Sequence, residues 1–243
     1  MINTVLFDLD GTLLQLSQNL FVKTYLAKIV KVFQRLNMDA EECIKALWAG
    51  TEAMVLNDGS MLNAERFWEV FAAQLSLTAE QCRNVEAACN EFYMTEFDTV
   101  KSIMAPNEIS ERLVRALQTK GYRLVLATNP LFPSCAITTR LGWIGLTQQD
   151  FILVTHYTNS TYCKPNPRYY EEVFAKINRT PDQCLMVGNN ATEDMIVEEL
   201  GTETFLVTGC LENEADVDIT LFRHGTLAEL EEYLDSMPDI SET

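Results

Sequence analysis

The sequence contains no long hydrophobic run. None of its apolar stretches reaches the ~18 residues that a membrane-spanning helix requires. The first residues, Met1 to Thr4, have no basic flank of the kind that opens a secretory signal. We therefore expect a cytoplasmic protein that has no membrane partner.

The chain is also short of positive charge. It carries 18 Lys and Arg residues against 35 Asp and Glu residues, which gives a net charge of −17. A field of this sign repels nucleic acids and anionic membrane surfaces, so we expect neither as a partner. A site for an anionic metabolite must therefore gather its cations locally.

Paired cysteine motifs are missing as well. The seven cysteines form an odd set without any C-x-x-C pair. This usage is typical of reduced thiols rather than of a disulfide framework or a zinc site. Only Cys163, which precedes a lysine, is a candidate for a reactive thiol.

Five short apolar runs alternate with helical stretches in a chain of 243 residues. This alternation predicts βαβ units and an α/β fold with a doubly wound parallel sheet. The predicted strands cover residues 4–9, 123–127, 151–155, 183–187 and 203–207. Helices are predicted at 134–141, 168–178 and 193–200, and a capping-box pattern at Thr226 opens a last helix.

The interval between the first two predicted strands is unusually long. It spans roughly a hundred residues, whereas a crossover needs only about a dozen. Apolar residues recur there at steps of three and four, which predicts four amphipathic helices with breaks near residues 37–39, 57–60 and 77–78. The chain is therefore expected to carry a small helical bundle as an insertion.

Polar clusters follow four of the predicted strands. They are Asp8-Leu9-Asp10-Gly11-Thr12, Thr128-Asn129, Lys164-Pro165 and the segment from Gly188 to Asp194. Each cluster alone has an ordinary structural explanation, such as an Asp-Gly turn, a solvated lysine or acids at a helix start. Because parallel strands end at one edge of a sheet, the four clusters together predict a single crevice.

The order and spacing of these clusters resemble the haloacid dehalogenase-like (HAD) superfamily of phosphohydrolases, in the subfamily with a helical cap between the first and second motifs. The resemblance covers the whole chain. It implies a Rossmann-like catalytic core formed by residues 1–15 and 100–243, and an all-helical cap domain formed by residues 16–99.

The resemblance also implies roles for individual residues. Asp8 would be the nucleophile that forms an aspartyl-phosphate, and Asp10 would be the general acid and base. Thr128, the backbone N–H of Asn129 and Lys164 would hold the transferring phosphoryl group. Magnesium, Mg²⁺, is the implied cofactor, because carboxylates and a phosphate dianion need a small divalent cation to coexist.

The metal ligands implied by the resemblance are the Asp8 side chain, the Asp10 carbonyl and the acidic motif. In that motif the chain has Asn189 where the family usually has aspartate, while Asp194 stays acidic with Glu193 beside it. An amide oxygen brings one negative charge less than a carboxylate. We therefore expect Mg²⁺ to bind, but more weakly than at a site with two aspartates.

These inferences predict a magnesium-dependent phosphatase that hydrolyses a small phosphorylated metabolite through an aspartyl-phosphate. Two alternatives stay open, a phosphomutase of the same family and a non-catalytic phosphometabolite-binding protein. Phosphonate hydrolysis ranks last, because it needs a reactive cap lysine and nothing distinguishes one of the four in the insertion, which are Lys23, Lys28, Lys31 and Lys45. The sequence leaves the oligomeric state open.

Substrate selection is expected to come from the cap, through segments that close over the crevice. Residues 13–18 and the turn at 57–61 are candidates. Trp48 is a possible wall of the site, although core packing is the preferred interpretation for a tryptophan at helical spacing. For His156, which follows the third predicted strand, a surface position is preferred over one at the rim.

Overall fold

The protein is built on a six-stranded parallel sheet, which we describe from a computed structural model covering residues 1–105 and 107–240. The strand order is β3-β2-β1-β4-β5-β6, and every neighbouring pair is parallel. The strands are β1 (Thr4–Phe7), β2 (Arg123–Leu126), β3 (Leu153–Val154), β4 (Cys184–Gly188), β5 (Glu203–Val207) and β6 (His224–Gly225). The predicted doubly wound parallel sheet is confirmed.

Each of the five predicted strand segments contains a strand, with two differences at the edges of the sheet. The first is β3, which spans two residues rather than the predicted five. The second is β6, which was not predicted and pairs only with β5. A strand of two residues is too short to show the period-two alternation on which the prediction depends.

Eight α-helices are present in the described residues. They are α1 (Gln18–Arg35), α2 (Ala40–Val55), α3 (Asn63–Gln74), α4 (Ala79–Met94), α5 (Ile109–Thr119), α6 (Ser134–Gly142), α7 (Pro167–Ile177) and α8 (Leu227–Ser236). Short 3₁₀ helices cover Glu96–Ile103, Gln148–Asp150, Pro181–Gln183, Met195–Leu200 and Ile219–Leu221. None of the helices in this part of the chain has the length and apolar character that crossing a bilayer would require.

Alternate side chains of β1 point to opposite faces of the sheet. Val5 and Phe7 belong to a core that also holds residues of α5, α6 and α8. Leu6 lies in a second core together with the buried face of α7. Because β1 is central and covered on both faces, the residues that follow it are fixed in position by the surrounding sheet.

The four helices α1 to α4 form the predicted insertion between β1 and β2. Helix α2 packs against α3 and α1, and α1 also packs against α4. The helix breaks fall where they were predicted, and Thr78 caps α4 by accepting a hydrogen bond from the backbone N–H of Gln81. We call α1 to α4 the inserted helices below.

The segment predicted as a helix at residues 193–200 is instead a 3₁₀ helix that begins at Met195. It ends at Gly201, whose φ of +91° is readily adopted by glycine. The stretch buries only Met195 and Val197. So short an apolar face supports only a short, tight helix.

Candidate active site

The turn after β1 brings Asp8 and Asp10 to the carboxyl edge of the sheet. Asp8 continues the strand pairing, because its backbone N–H donates to the carbonyl of Val187 at 2.9 Å. The chain then turns at Gly11, whose φ is +87°, and a Cβ there would lie 2.2 Å from the side-chain nitrogen of Asn189. Glycine is therefore required both by the turn and by the close approach of the β4 loop.

Lys164 joins two aspartates at this edge. Its Nζ donates to Oδ1 of Asp8 at 2.9 Å and to Oδ1 of Asp194 at 2.6 Å. Burial alone would lower the pKa of Lys164, but the carboxylates of Asp194 and Asp8 outweigh it and hold that pKa well above its ordinary value. The lysine therefore remains a cation between the two carboxylates.

Asp194 organises the loop after β4. Its Oδ2 accepts hydrogen bonds from the backbone N–H groups of Asn189 and Asn190, both at 3.0 Å. A Cβ at Gly188 would lie 2.2 Å from the same oxygen. The glycine that ends β4 thus leaves the space in which the carboxylate folds back over the loop.

The predicted phosphate-binding pair lies at the end of β2. The carbonyl oxygen of Thr128 accepts hydrogen bonds from Oγ1 of Thr155 at 2.6 Å and from the hydroxyl of Tyr169 at 3.0 Å. The side chain of Asn129 donates to Glu193 at 3.1 Å. These contacts connect the end of β2 to the neighbouring loops, and Thr128 itself lines the crevice.

Asn189, the departure from the family pattern, is held at both ends of its amide. Its Oδ1 accepts from the hydroxyl of Thr12 at 2.9 Å, and its Nδ2 donates to the carbonyl of Cys210 at 2.8 Å. The residue is buried. One lone pair of Oδ1 remains for a further partner.

One cavity of about 210 Å³ brings the predicted site residues together. Its lining includes Asp8, Asp10, Thr128, Asn129, Asn189 and Asp194. Lys164 does not line the cavity but lies behind Asp8 and contacts it directly. The gathering of four separate loops at one sheet edge is what a doubly wound fold produces at a ligand site.

The charge balance and the oxygen donors at this edge fit a divalent cation. Burial raises the pKa of Asp8 to about 7, with Lys164 lowering it and Asp194 raising it further. Burial likewise raises the pKa of Glu193 to about 7. Oδ1 of Asp10 is buried and has no partner among the described residues. Hard oxygen donors with excess negative charge are the environment that Mg²⁺ prefers.

Within residues 1–105 and 107–240, no group of three or more His, Cys, Asp and Glu side chains is arranged to hold a metal ion by itself. The ligands predicted from the sequence are instead mixed, since they include the Asp10 carbonyl and the Asn189 amide. Mg²⁺ commonly keeps several waters and takes only one or two carboxylates plus substrate phosphate oxygens. A mixed donor set of this kind is compatible with that coordination.

A second buried cation, Arg140 on α6, was missed by the sequence analysis. Its guanidinium forms an ion pair with Oδ2 of Asp10 and is fully buried. It also stacks over the ring of Phe132 at 4.5 Å. The sequence feature that could have revealed it is its position three and four residues after Ile137 and Ala136, which places an arginine on the apolar face of the predicted helix.

The structure corrects the interpretation of Trp48 and clarifies the two loop candidates. Trp48 is 47% exposed and lines the cavity, so the preferred core-packing interpretation is wrong. Of residues 13–18, only Gln18 lines the cavity, because the leucines of this segment turn into the core. The turn at 57–61 does not reach the cavity, since Asn57 is held by Asn63 and by its own turn.

Two further candidates have no place in the cavity lining. His156 is half-buried, and its Nδ1 lies 2.7 Å from the hydroxyl of Thr158. Cys163 is buried, and burial raises its pKa far above the ordinary thiol value. A thiol that stays protonated is a poor nucleophile, so Cys163 is not a reactive cysteine.

The sequence profile of haloacid dehalogenase-like hydrolases matches residues 2–197. The chain belongs to this family. A curated relative, the pyrophosphatase PpaX of Anoxybacillus flavithermus, is 25% identical over 205 residues, which cover 84% of this chain and 82% of the relative.

Two solved structures show the same fold as this haloacid dehalogenase-like hydrolase. One is described as a predicted phosphoglycolate phosphatase from Haemophilus somnus, with 18% identity, a TM-score of 0.57, and coverage of 96% of this chain and 97% of that one. The other is the HAD-family protein YfnB of Bacillus subtilis bound to magnesium, with 20% identity, a TM-score of 0.57, and coverage of 96% and 99%. The chain is therefore an enzyme of the HAD hydrolase family with phosphatase-named relatives.

Proposed function

We propose that this HAD hydrolase is a magnesium-dependent phosphatase that cleaves a small phosphomonoester through an aspartyl-phosphate on Asp8. The observation that carries the proposal is the convergence of Asp8, Asp10 and Thr128 on one cavity, with Lys164 bonded to Asp8 from behind. A nucleophile, a proton carrier and a phosphoryl-binding group are then within reach of one phosphorus atom.

Asp8 is the proposed nucleophile. Lys164 holds its Oδ1, and its Oδ2 accepts no hydrogen bond from the residues that the structure describes. The unbonded oxygen is free to attack phosphorus, which breaks the bond to the leaving oxygen and forms the acyl phosphate. Lys164 offsets the repulsion between this carboxylate and an anionic substrate.

Asp10 is the proposed general acid and base. Arg140 holds its Oδ2, which leaves the unpartnered Oδ1 to carry the proton. That oxygen gives its proton to the departing alkoxide and then takes one from the water that attacks the acyl phosphate. The products are the alcohol and inorganic phosphate, and both aspartates return to their starting states.

The remaining predicted residues are proposed to bind the phosphoryl group and the metal. Thr128, the backbone N–H of Asn129 and Lys164 are the proposed partners of the equatorial oxygens. Thr128 and Asn129 line the cavity, whereas Lys164 would act from behind Asp8. The Asp8 side chain, the Asp10 carbonyl, Asn189 and Asp194 are the proposed magnesium ligands, listed here as one set. When bound, Mg²⁺ supplies positive charge to the phosphoryl oxygens and lowers the cost of bringing two anions together.

We also propose the division into a catalytic core, residues 1–15 and 100–243, and a cap, residues 16–99. The inserted helices line the same cavity as the catalytic aspartates through Phe21, Tyr25 and Trp48. Such a cap shields the reaction from bulk water and contacts the leaving group.

The direct test is phosphate release from a generic aryl phosphate in the presence of Mg²⁺, comparing the unmodified protein with Asp8→Asn. The amide cannot attack phosphorus, so we expect the rate to fall by more than about 10³-fold. The matched control is Asp182→Asn, which makes the same chemical change at an exposed position. Equal release from the Asp8 variant and the unmodified protein would contradict the proposal.

A further inference from the structure

The cavity does not stop at the catalytic edge but continues among the inserted helices. At that end its walls are side chains of α1, α2, α3 and α4 together with the loop after β2. The rings that line it include Phe21, Tyr25, Trp68, Phe71, Tyr93 and Phe132. We call this part of the cavity the aromatic end, and the part lined by Asp8, Asp10 and Thr128 the catalytic end.

The aromatic end has no positive charge. No Lys, Arg or His side chain is among the lining residues in the described part of the chain. Lys164 lies behind Asp8. The Arg140 guanidinium lies 5.7 Å from the centre of the Phe21 ring and 4.5 Å from that of Phe132, but it does not line the cavity and is paired with Asp10. A second phosphate or a carboxylate on the leaving group would therefore enter this end without a counterion, at a high desolvation cost.

Several hydrogen-bonding groups of the aromatic end are already paired within the protein. The hydroxyls of Tyr25 and Tyr93 bond to each other at 2.7 Å. The hydroxyl of Thr51 donates to the carbonyl of Leu47 at 2.8 Å within its own helix. The indole N–H of Trp68 is buried without a partner among the described residues, and the amides of Gln18 and Asn90 also line the cavity. These few groups suit one or two polar atoms of a ligand, whereas a sugar would lose bonds to water for most of its hydroxyls.

The volume sets the size of the occupant. The whole cavity measures about 210 Å³. An apolar cavity of ~150 Å³ in another protein is large enough to hold benzene. The space therefore accommodates a phosphoryl group at the catalytic end and one ring at the aromatic end.

From these features we propose that the substrate is a phosphomonoester of an uncharged alcohol that carries a single aromatic ring. This inference rests on the phosphatase function proposed above. The phosphoryl group sits at the catalytic end, and the ring packs among the aromatic side chains. When the phosphorus–oxygen bond breaks, the alcohol leaves with the proton from Asp10.

The test compares substrates whose leaving groups are similar in reactivity. 2-Phenylethyl phosphate and ethyl phosphate both release a primary alcohol, so a difference in kcat/KM reports mainly on binding of the ring. We expect 2-phenylethyl phosphate to be preferred about 10- to 100-fold over ethyl phosphate. Phosphoglycolate and pyrophosphate should be poorer substrates than 2-phenylethyl phosphate.

A variant that fills the aromatic end separates ring binding from chemistry. Thr51→Phe on α2 places a ring into the cavity and should remove most of the preference for 2-phenylethyl phosphate over ethyl phosphate. A cooperative urea unfolding transition like that of the unmodified protein shows that the variant folds. The matched control is Glu52→Phe, on the same helix but exposed, and it should keep the preference. A preference that survives in Thr51→Phe would overturn the assignment of the aromatic end.

A binding measurement distinguishes failure of this inference from failure of the phosphatase function. 2-Phenylethanol should quench or shift the fluorescence of Trp68 and Trp48, and the effect should be lost in Thr51→Phe. Hydrolysis without preference for the ring, or a stronger preference for pyrophosphate, overturns the inference and leaves the phosphatase function standing. If no phosphate ester is cleaved, the phosphatase function fails. Thr51-sensitive binding of the alcohol would then still support the ring site, and its absence would overturn it.

Discussion

Two buried cations serve the two aspartates that follow β1, and they are built differently. Lys164 comes from a loop at the sheet edge and bonds to two carboxylates, those of Asp8 and Asp194. Arg140 comes from the buried face of α6, pairs with Asp10 alone and stacks on the ring of Phe132. The lysine thus belongs to a network of charges, whereas the arginine is embedded in apolar surroundings.

The difference suggests different tasks for the two side chains. Removing Lys164 takes the cation from two carboxylates at once, those of Asp8 and Asp194, whose side chains are 11% and 2% exposed, whereas removing Arg140 takes it only from Asp10, which is 17% exposed. Two buried carboxylates without their cation also repel each other, so the loss of Lys164 is the more costly change. We therefore rank Lys164 as the anchor of the whole site and Arg140 as a positioning residue for Asp10.

The largest effect is expected from Lys164→Met. The change removes the cation that is bonded to the buried carboxylates of Asp8 and Asp194, so we expect the free energy of unfolding to fall by about 3–5 kcal/mol. Activity should fall by more than about 10³-fold, because the positive charge that offsets the repulsion between the Asp8 carboxylate and an anionic substrate is gone. Urea unfolding and phosphate release measure the two effects.

The matched control for that change is Lys31→Met, which removes an exposed lysine of α1. It should shift stability by less than about 0.5 kcal/mol. If the two variants unfold at the same urea concentration, the Lys164 cluster is not the anchor described here.

A smaller effect is expected from Arg140→Met. With Asp10 no longer held, we expect kcat to fall about 10- to 100-fold, because proton transfer depends on geometry, while KM changes little. The free energy of unfolding should fall by about 2–3 kcal/mol, less than for Lys164→Met. Steady-state kinetics and urea unfolding provide the comparison.

Arg140→Lys distinguishes an effect on the orientation of Asp10 from an effect on the stability of the fold. It keeps the charge but loses the planar guanidinium, so it should recover part of kcat. An unchanged kcat in folded Arg140→Met would show that Asp10 does not need this partner.

The smallest effect is expected from Asn189→Asp, which adds a carboxylate between Thr12 and the carbonyl of Cys210. We expect the Mg²⁺ concentration for half-maximal activity to fall about three- to tenfold, because a carboxylate holds the cation more strongly than an amide. The lost donation to the Cys210 carbonyl should cost about 1 kcal/mol of stability. A magnesium titration of activity measures the first effect.

Asn19→Asp is the control for charge alone, since this residue is exposed at the start of α1. It should leave the magnesium titration unchanged. An unaltered titration in Asn189→Asp as well would remove the reason for placing Asn189 among the metal ligands.

The contrast between Lys164 and Arg140 also shows what a sequence can reveal about a site. Lys164 follows a predicted strand and precedes a proline. Because parallel strands end at one edge of a sheet, its position near Asp8 could be predicted from the strand order. Arg140 has the spacing of a core residue, and helical periodicity does not say which charged partner a buried face will meet. The pairing with Asp10 depends on the packing of α6 against its surroundings.

In the inserted helices, likewise, the helix boundaries could be predicted from the sequence but the packing of the side chains could not. Their boundaries could be predicted because caps and apolar spacing are local features of the chain. The aromatic end could not be predicted, since a run of buried rings looks the same whether the rings close on one another or leave a void. Trp48 was misplaced for this reason, because its spacing matched a core position while its side chain lies at the cavity.

The central place of β1 has a consequence for how the chain folds during synthesis. The strand emerges first, but its partners in the sheet begin only at residues 123 and 184. Contacts so distant along the chain form slowly, whereas the inserted helices can form from nearby residues as soon as they are made. The three apolar residues of β1, Val5, Leu6 and Phe7, therefore have no sheet partner until more than half of the chain has been made, and the second partner strand follows only after residue 183. The inserted helices therefore form before β1 is paired in its sheet.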